Sequence, residues 1–221
     1  MTPVNIVLPP PRREGGLPLM EALMKRRSSR NFSTRDVDLQ TLSDLLWATF
    51  GFGGGGKRRT APSSHNRQET ELYLALSSGT YVYDPVLNEL RMVLEEDIRT
   101  LTGMQDFVSV APLNIIFVAD TSKITGKDER GTIETAYVDT GFISQNAYLF
   151  CASAGLVTVT RAMIDKPALA AKLSLRPEQV ITLAQTIGAT AAWQGTHKAL
   201  HVPAAAVFGA ELEADAPLAI D

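Results

Sequence analysis

Leu72-Tyr-Leu-Ala-Leu76, Thr80-Tyr-Val-Tyr83 and Glu89-Leu-Arg-Met-Val-Leu94 follow one another closely, with Ser78-Gly79 and Asp84-Pro85 supplying the turns between them. Short aliphatic and aromatic runs punctuated by turn formers read as strands. Connections this short favour antiparallel pairing, so the stretch predicts a meander. Outward from it the pattern changes. Leu113-Asn-Ile-Ile-Phe-Val-Ala119, introduced by Pro112, is apolar enough for a strand buried on both faces. Leu156-Val-Thr-Val-Thr160 and Val180-Ile-Thr-Leu-Ala184 are further strands flanking a short helix from about Pro167 to Leu173. Ile133 to Ala154 has helical character and is apolar on nearly every face, with Phe142, Ile143, Ala147, Leu149, Phe150 and Ala154. Such a helix needs cover on several sides, so it is expected at the centre, ended by Gly155.

Upstream, Leu19, Leu23 and Met24 recur at helical spacing and run into Lys25-Arg26-Arg27, where cations suit the end of a helix. Asp38 is expected to cap a second helix, Leu39 to about Phe50, which the run Gly51-Phe-Gly-Gly-Gly-Gly56 stops. Asp97 to Gly103 reads as a weak helix. A meander followed by helices and later strands, without alternating βαβ units, defines an α+β class with a central, mostly antiparallel sheet flanked by helices.

A chain of 221 residues is long enough for one domain with a sizeable core. Residues 1–16, with Pro9-Pro10-Pro11 and Gly15-Gly16, read as an extended arm lying on the body or on a partner subunit, and 17–221 as a single domain. Hydrophobic residues at 45% and charged residues at 20% exclude collagen-like, disulfide-scaffold and wholly disordered classes. Lys+Arg 21 against Asp+Glu 24 gives −3, so no global basic field invites nucleic acid and any anion site must be local. No apolar window is long enough to span a membrane, and Met1 to Pro9 lacks the charged start and apolar run of a secretory signal. The expectation is a cytoplasmic protein, with a mature secreted or periplasmic form left open. Cys151 lies in the apolar stretch Ala147 to Ala154 and reads as a buried thiol.

Several motif matches fail on context. Gly51 to Gly56 fits GxGxxG and, with Lys57, nearly fits a P-loop. The run follows a helix instead of a strand, however, and Arg58 stands where a magnesium-binding hydroxyl belongs. His197 and His201 share a helical spacing, but no third metal ligand accompanies them, so no metal site is expected. Glu95-Glu96-Asp97 is best explained as favourable charge at a helix start. Ser63-Ser64-His65 is no nucleophile signature, because adjacency does not set a base on a hydroxyl.

Two polar segments are more informative. Arg26-Arg27-Ser28-Ser29-Arg30-Asn-Phe32 gathers three guanidinium groups and two hydroxyls at a helix end. Forked, charge-assisted donors beside hydroxyls suit a phosphate, although the same cluster also reads as a solvated basic helix terminus. Arg59-Thr-Ala-Pro62-Ser63-Ser64-His65-Asn66-Arg67-Gln68 sets small residues and amides between a glycine loop and a strand. Such a stretch admits a flat ligand, or is simply a turn.

Together these segments resemble the nitroreductase superfamily of FMN-dependent oxidoreductases, and more particularly its SagB-type branch. Arg26 to Phe32 matches the R-R-S-x-R-x-F flavin motif, and Arg59 to Gln68 resembles the R-T-A-P-S segment. Asp139-Thr-Gly-Phe-Ile-Ser-Gln-Asn-Ala-Tyr-Leu149 resembles the central helix, and Ala154-Gly155-Leu156 the turn into the flavin-facing strand. The resemblance runs from about Leu17 to Gly188, in family order. It implies a homodimer on a nitroreductase-like α+β fold, with FMN at the subunit interface and NADH or NADPH as electron donor. The second substrate would be a small nitroaromatic or quinone acceptor. A SagB-type azoline dehydrogenase acting on a peptide and a non-catalytic flavin-binding protein are the alternatives. Carried over by position, Arg26, Arg27, Ser28 and Arg30 would hold the phosphate and the pyrimidine side of the ring. Pro62, Ser63, Ser64 and Asn66 would reach the flavin from the other subunit. Gln105 is a further contact, and Arg161, Ala162 and Met163 stand where backbone amides approach the reactive nitrogen. The chain lacks a Gly in that last segment, and Lys198 is its one Lys or Arg after Gly188 to serve as a late phosphate ligand. The flavin carries the chemistry in this reading, so no catalytic side chain is required.

Overall fold

The computed structural model describes residues 5–53, 56–190 and 192–193. The meander forms as β2 (Thr70–Leu76), β3 (Gly79–Asp84) and β4 (Glu89–Leu94), paired antiparallel with Tyr73 opposite Val82 and Val82 opposite Arg91. β5 (Leu113–Asp120) pairs with the other edge of β2, Leu72 facing Phe117, and every one of its residues is buried. That continuous apolar run is what a strand covered on both faces requires. β7 (Gln179–Gly188) lies beside β5, and β6 (Val157–Arg161) closes that edge. At the opposite edge β1 (Ile6–Val7) pairs with β4. The sheet therefore runs β1-β4-β3-β2-β5-β7-β6, antiparallel at every pairing.

The period-two alternation of strands sorts the core into two layers. Leu72, Leu74, Ile115 and Phe117 face one side, where they meet Leu45, Leu46, Ile143 and Ala147 of two helices. Tyr73, Ala75, Ile116 and Val118 face the other, under Ile98, Leu169 and Leu173. The helices of the first layer are α2 (Leu39–Phe50) and α4 (Glu129–Ala154), and α1 (Leu19–Lys25) also packs on α4. The Asp38 carboxylate accepts the Thr41 N–H at 2.9 Å, the cap its position predicts. Gly155 ends α4 in the left-handed conformation, φ 72°, where a side chain is disfavoured.

Other boundaries differ from the sequence reading. α4 begins before Ile133, because Asp128 caps it by accepting the Gly131 N–H at 2.8 Å. The polar first turn hides that start. Asp97 to Gly103 contains only a 3-10 turn, Arg99–Thr102, too short for a helix dipole to matter. The acidic run forms ion pairs instead, Asp97 with Arg99 at 2.7 Å and Glu96 with Lys172 at 2.5 Å. Lys172 ends α5 (Lys166–Lys172), which caps the second layer. A short helix, α3 (Phe107–Val110), follows the 3-10 turn and was not legible beforehand.

The segment before α1 is tied to the body. Leu8 is buried, Ser43 Oγ donates to the Pro9 carbonyl at 2.6 Å, and Arg12 forms an ion pair with Asp44 at 2.6 Å. Cys151, on the buried face of α4, has its thiol pKa pushed up by desolvation, so it is inert packing. Among the described residues no helix is long and apolar enough to cross a membrane. Leu19, Met20, Leu23 and Met24 on α1, and Val138 and Phe142 on α4, stand exposed on one flank of this bundle.

Candidate functional site

The chain leaves α1 at Arg26 and runs along the free edge of β6. Ser29 donates its N–H to the Thr158 carbonyl at 3.0 Å, and Ser33 donates to the Ala189 carbonyl at 2.9 Å. Phe32 is the anchor between them, buried against Val157, Val159 and Ala111 with its ring 5.5 Å from that of Phe107. This seam presents Arg27, Ser28 and Arg30 outward. Arg26 lies over the Tyr148 ring, 5.5 Å from its centroid. Among the described residues none of Arg26, Arg27 and Arg30 forms an ion pair with a carboxylate. Like charges held together without a counter-charge repel, so this cluster favours an incoming anion.

The second polar segment folds on itself. Arg59 donates Nε–H to Gln68 Oε1 at 3.0 Å and lies 4.1 Å from the centroid of Phe52. Ser63 Oγ accepts the Gln68 N–H at 2.9 Å, and Gln68 Nε2 donates to Asn66 Oδ1 at 2.9 Å. His65, Asn66 and Gln68 all adopt positive φ near 50°, a strained set that these bonds hold in place. The loop is moored to α4 by one contact, the Ser64 N–H donated to Asp139 Oδ2 at 2.8 Å. Pro62 and Asn66 remain exposed.

Beneath that mooring lies an unexpected pair of carboxyls. Glu69 is fully buried, and neither of its oxygens has a donor among the described residues. Desolvation raises its pKa to about 7, opposed by its own backbone amide and, more weakly, by Lys123, and helped by the neighbouring Asp139.

Beyond β6, Ala162 and Met163 are exposed. The Arg161 side chain turns the other way. Its guanidinium donates to the Thr102 carbonyl at 2.6 Å, to Asn114 Oδ1 at 3.0 Å and to Thr186 Oγ1 at 2.9 Å, with the Phe107 ring 6.0 Å away. Burial lowers its pKa to about 10, still high enough to keep it charged at neutral pH. Only the backbone of Arg161 is available to a ligand. Its side chain instead holds the 102–105 loop, and Gly103 gives it room: a Cβ there would sit 1.9 Å from Arg161 Nη1. In that loop the Met104 N–H donates to the Met163 carbonyl at 3.3 Å, and the buried Gln105 Oε1 has no donor.

One protomer thus brings Arg26, Arg27, Ser28 and Arg30 to the β6 edge that also carries Ala162, Met163 and Gln105. It does not bring Pro62, Ser63, Ser64 and Asn66 to them. The loop is moored at Asp139 and the arginine segment at Tyr148, roughly 13 Å apart along α4 at 1.5 Å per residue. Lys198, like His197 and His201, lies outside the described residues. The sequence reading passed over Tyr148, Asp139 and Glu69 as individual site residues. A tyrosine in the stretch read as the central helix was the advance signal for the first, and an acid directly before a buried strand for the last.

This fold and this edge define an α+β protein with a cation-bearing strand edge, and comparison with known proteins gives its class. The model of the nitroreductase family matches residues 23–189, so the chain belongs to the nitroreductase family, a family of oxidoreductases. A crystal structure from Ralstonia eutropha JMP134, assigned as a nitroreductase, is 40% identical and superimposes with a TM-score of 0.79 over 85% of this chain and 90% of its own. A Methanocaldococcus jannaschii protein, also assigned as a nitroreductase, is 28% identical over 155 residues, 64% of this chain and 77% of its own. A chain of the E. coli microcin synthetase McbBCD complex, with truncated pro-MccB17 bound, has a TM-score of 0.63 at 19% identity, covering 80% of this chain and 75% of its own. That last likeness is one of fold.

Proposed function

We propose that this chain is an FMN-dependent oxidoreductase that passes electrons from NADH or NADPH to a small organic acceptor of nitroaromatic or quinone type, working as a homodimer. The observation that carries the reading is the uncompensated cation cluster Arg26, Arg27 and Arg30 with the Ser28 hydroxyl among them. That donor set fits a phosphate monoester. The buried Gln105 Oε1, an acceptor without a donor, fits a ring N–H on the same edge.

FMN, when bound, supplies a hydride acceptor from the nicotinamide and an electron donor to the second substrate. The chain's own residues bind and orient. Arg26 and Arg27 neutralise phosphate charge, and Ser28 adds a hydrogen bond. Arg30, beyond the two serines, places positive charge beside the ring, where it favours negative charge developing there. The backbone of 161–163 would meet the ring edge, steadied by the buried Arg161 network. Pro62 to Asn66 serve the site of a second copy, because in their own chain they are moored on α4 about 13 Å of helical rise from the point where the arginine segment is held. The exposed apolar residues Leu19, Leu23, Met24, Val138 and Phe142 supply a surface for that second copy to cover.

Steady-state oxidation of NADH or NADPH with a quinone or nitroaromatic acceptor tests the activity, and mass analysis of heat-released ligand tests the cofactor. Turnover with FMN in the released material is expected. Release of FAD, or a protein that stays colourless after FMN is supplied, contradicts the cofactor. Bound FMN without turnover on any such acceptor leaves only the flavin-binding role.

A further inference from the structure

Tyr148 sits where the two halves of the arginine site meet and has no part in the reading above. It projects from the last turns of α4 between the start of the arginine segment and β6. Its hydroxyl accepts the Thr160 N–H at 2.9 Å and lies 2.8 Å from Ser28 Oγ, while its ring carries Arg26 at 5.5 Å. The Thr160 backbone fixes the direction of this short chain. A backbone N–H only donates, so it occupies acceptor capacity on the phenol oxygen and polarises the phenol O–H outward. The phenol is also the stronger acid of the two hydroxyls, and serine oxygen the stronger acceptor. The phenol proton therefore goes to Ser28 Oγ, which leaves the serine's own proton with no acceptor among the described residues and turned outward among Arg26, Arg27 and Arg30.

We propose that Tyr148 is a positioning residue for the anionic end of the cofactor: it sets Ser28 as an outward hydrogen-bond donor and steadies Arg26 over its ring. This rests on the FMN reading and adds to it one residue, with one direction of hydrogen bonding. The chain runs from the Thr160 N–H to Tyr148, from Tyr148 to Ser28, and from Ser28 to a phosphate oxygen. Because the chain terminates on the phosphate, it discriminates FMN from riboflavin, which has the same ring and ribityl chain and no phosphate.

The test titrates apo-protein with FMN and separately with riboflavin for the wild type, Tyr148→Phe, Ser28→Ala and the double variant. Tyr148→Phe should weaken FMN binding about five- to tenfold and leave riboflavin within about twofold, the size expected for a lost charge-assisted hydrogen bond felt through one relay. In the Ser28→Ala background, Tyr148→Phe should add little, because the relay has already lost its end. Restoring the ring alone does not restore the donor, so Tyr148→Leu should cost more FMN affinity than Tyr148→Phe by releasing Arg26 as well. Equal weakening of both flavins by Tyr148→Phe, or full additivity with Ser28→Ala, overturns the relay while the FMN reading stands. A wild type that binds riboflavin as tightly as FMN overturns both. Should Tyr148→Phe fail to fold, Ser28→Ala at its exposed position still decides: it must lose FMN affinity and spare riboflavin, and an unchanged FMN affinity overturns the proposal.

Discussion

Arg161 and the Arg26–Arg30 cluster lie on the same strand edge and handle positive charge in opposite ways. Arg161 is buried, and its guanidinium is bonded to Thr102, Asn114 and Thr186 with no carboxylate near. Arg27 and Arg30 are exposed, and the whole cluster lacks an ion pair among the described residues. A buried arginine wrapped in neutral acceptors holds a loop in place. An exposed group of arginines with no such acceptors among the described residues suits an incoming anion. Charge alone therefore does not mark a binding residue, and the state of its hydrogen bonds does.

The comparison breaks first at Arg161. Arg161→Ala should lower unfolding stability by about 2–4 kcal/mol, since it strands the Thr102 carbonyl, takes one of two donors from Asn114 Oδ1 and opens a cavity. Arg27→Ala should stay within about 0.5 kcal/mol. Denaturant midpoints of the two variants check this, and similar losses would erase the distinction. Next in size, Arg26→Ala should weaken FMN binding by about 1.5–3 kcal/mol, roughly ten- to 150-fold, with little loss of stability. Flavin titration of the apo-protein measures it.

A second buried ionisable group sharpens the contrast. Arg161 keeps its proton at neutral pH, whereas Glu69, pushed up to about 7, sits at its titration point. Its folded pKa exceeds the unfolded value of 4.5, so the folded state holds the proton more tightly. Stability from this group is complete below pH 4.5 and is lost as pH rises through about 7. Glu69→Gln, neutral at every pH, should flatten that slope and stabilise the protein at pH 8 by about 1–2 kcal/mol. Thermal or denaturant unfolding at pH 5 and pH 8 reads it, and an unchanged slope would remove Glu69 as its cause. The smallest effect belongs to Arg30→Ala, which should lower the midpoint potential of bound FMN and slow turnover while leaving stability unchanged. If Arg26→Ala shifts the potential and Arg30→Ala does not, the two roles are reversed.

How much of this was legible in the sequence follows from how local each cause is. Asp38 and Gly51 bracket α2 because a cap and a glycine act within one turn, and the buried run 113–119 announces a central strand by composition. The arginine segment was readable for the same reason, three cations within five residues. Tyr148 was not, because its meaning comes from Ser28 and Thr160, which only the fold brings to its hydroxyl. Glu69 and Asp139 are likewise far apart in the chain and meet only where β2 passes α4. Arg161 was read for its backbone alone, and the inward turn of its side chain was not legible because it depends on Thr102, Asn114 and the space that Gly103 leaves. β1 is only two residues long, and no pattern of alternation can be read from two residues.

The central claim is that two copies of this chain share an FMN site, the arginine segment from one and the 62–66 loop from the other. Sedimentation monitored both at a protein wavelength and at the flavin absorbance tests it most directly. The account predicts that at micromolar concentration the flavin signal travels only with a dimer, at one FMN per chain. A monomer that sediments with flavin still bound would contradict it.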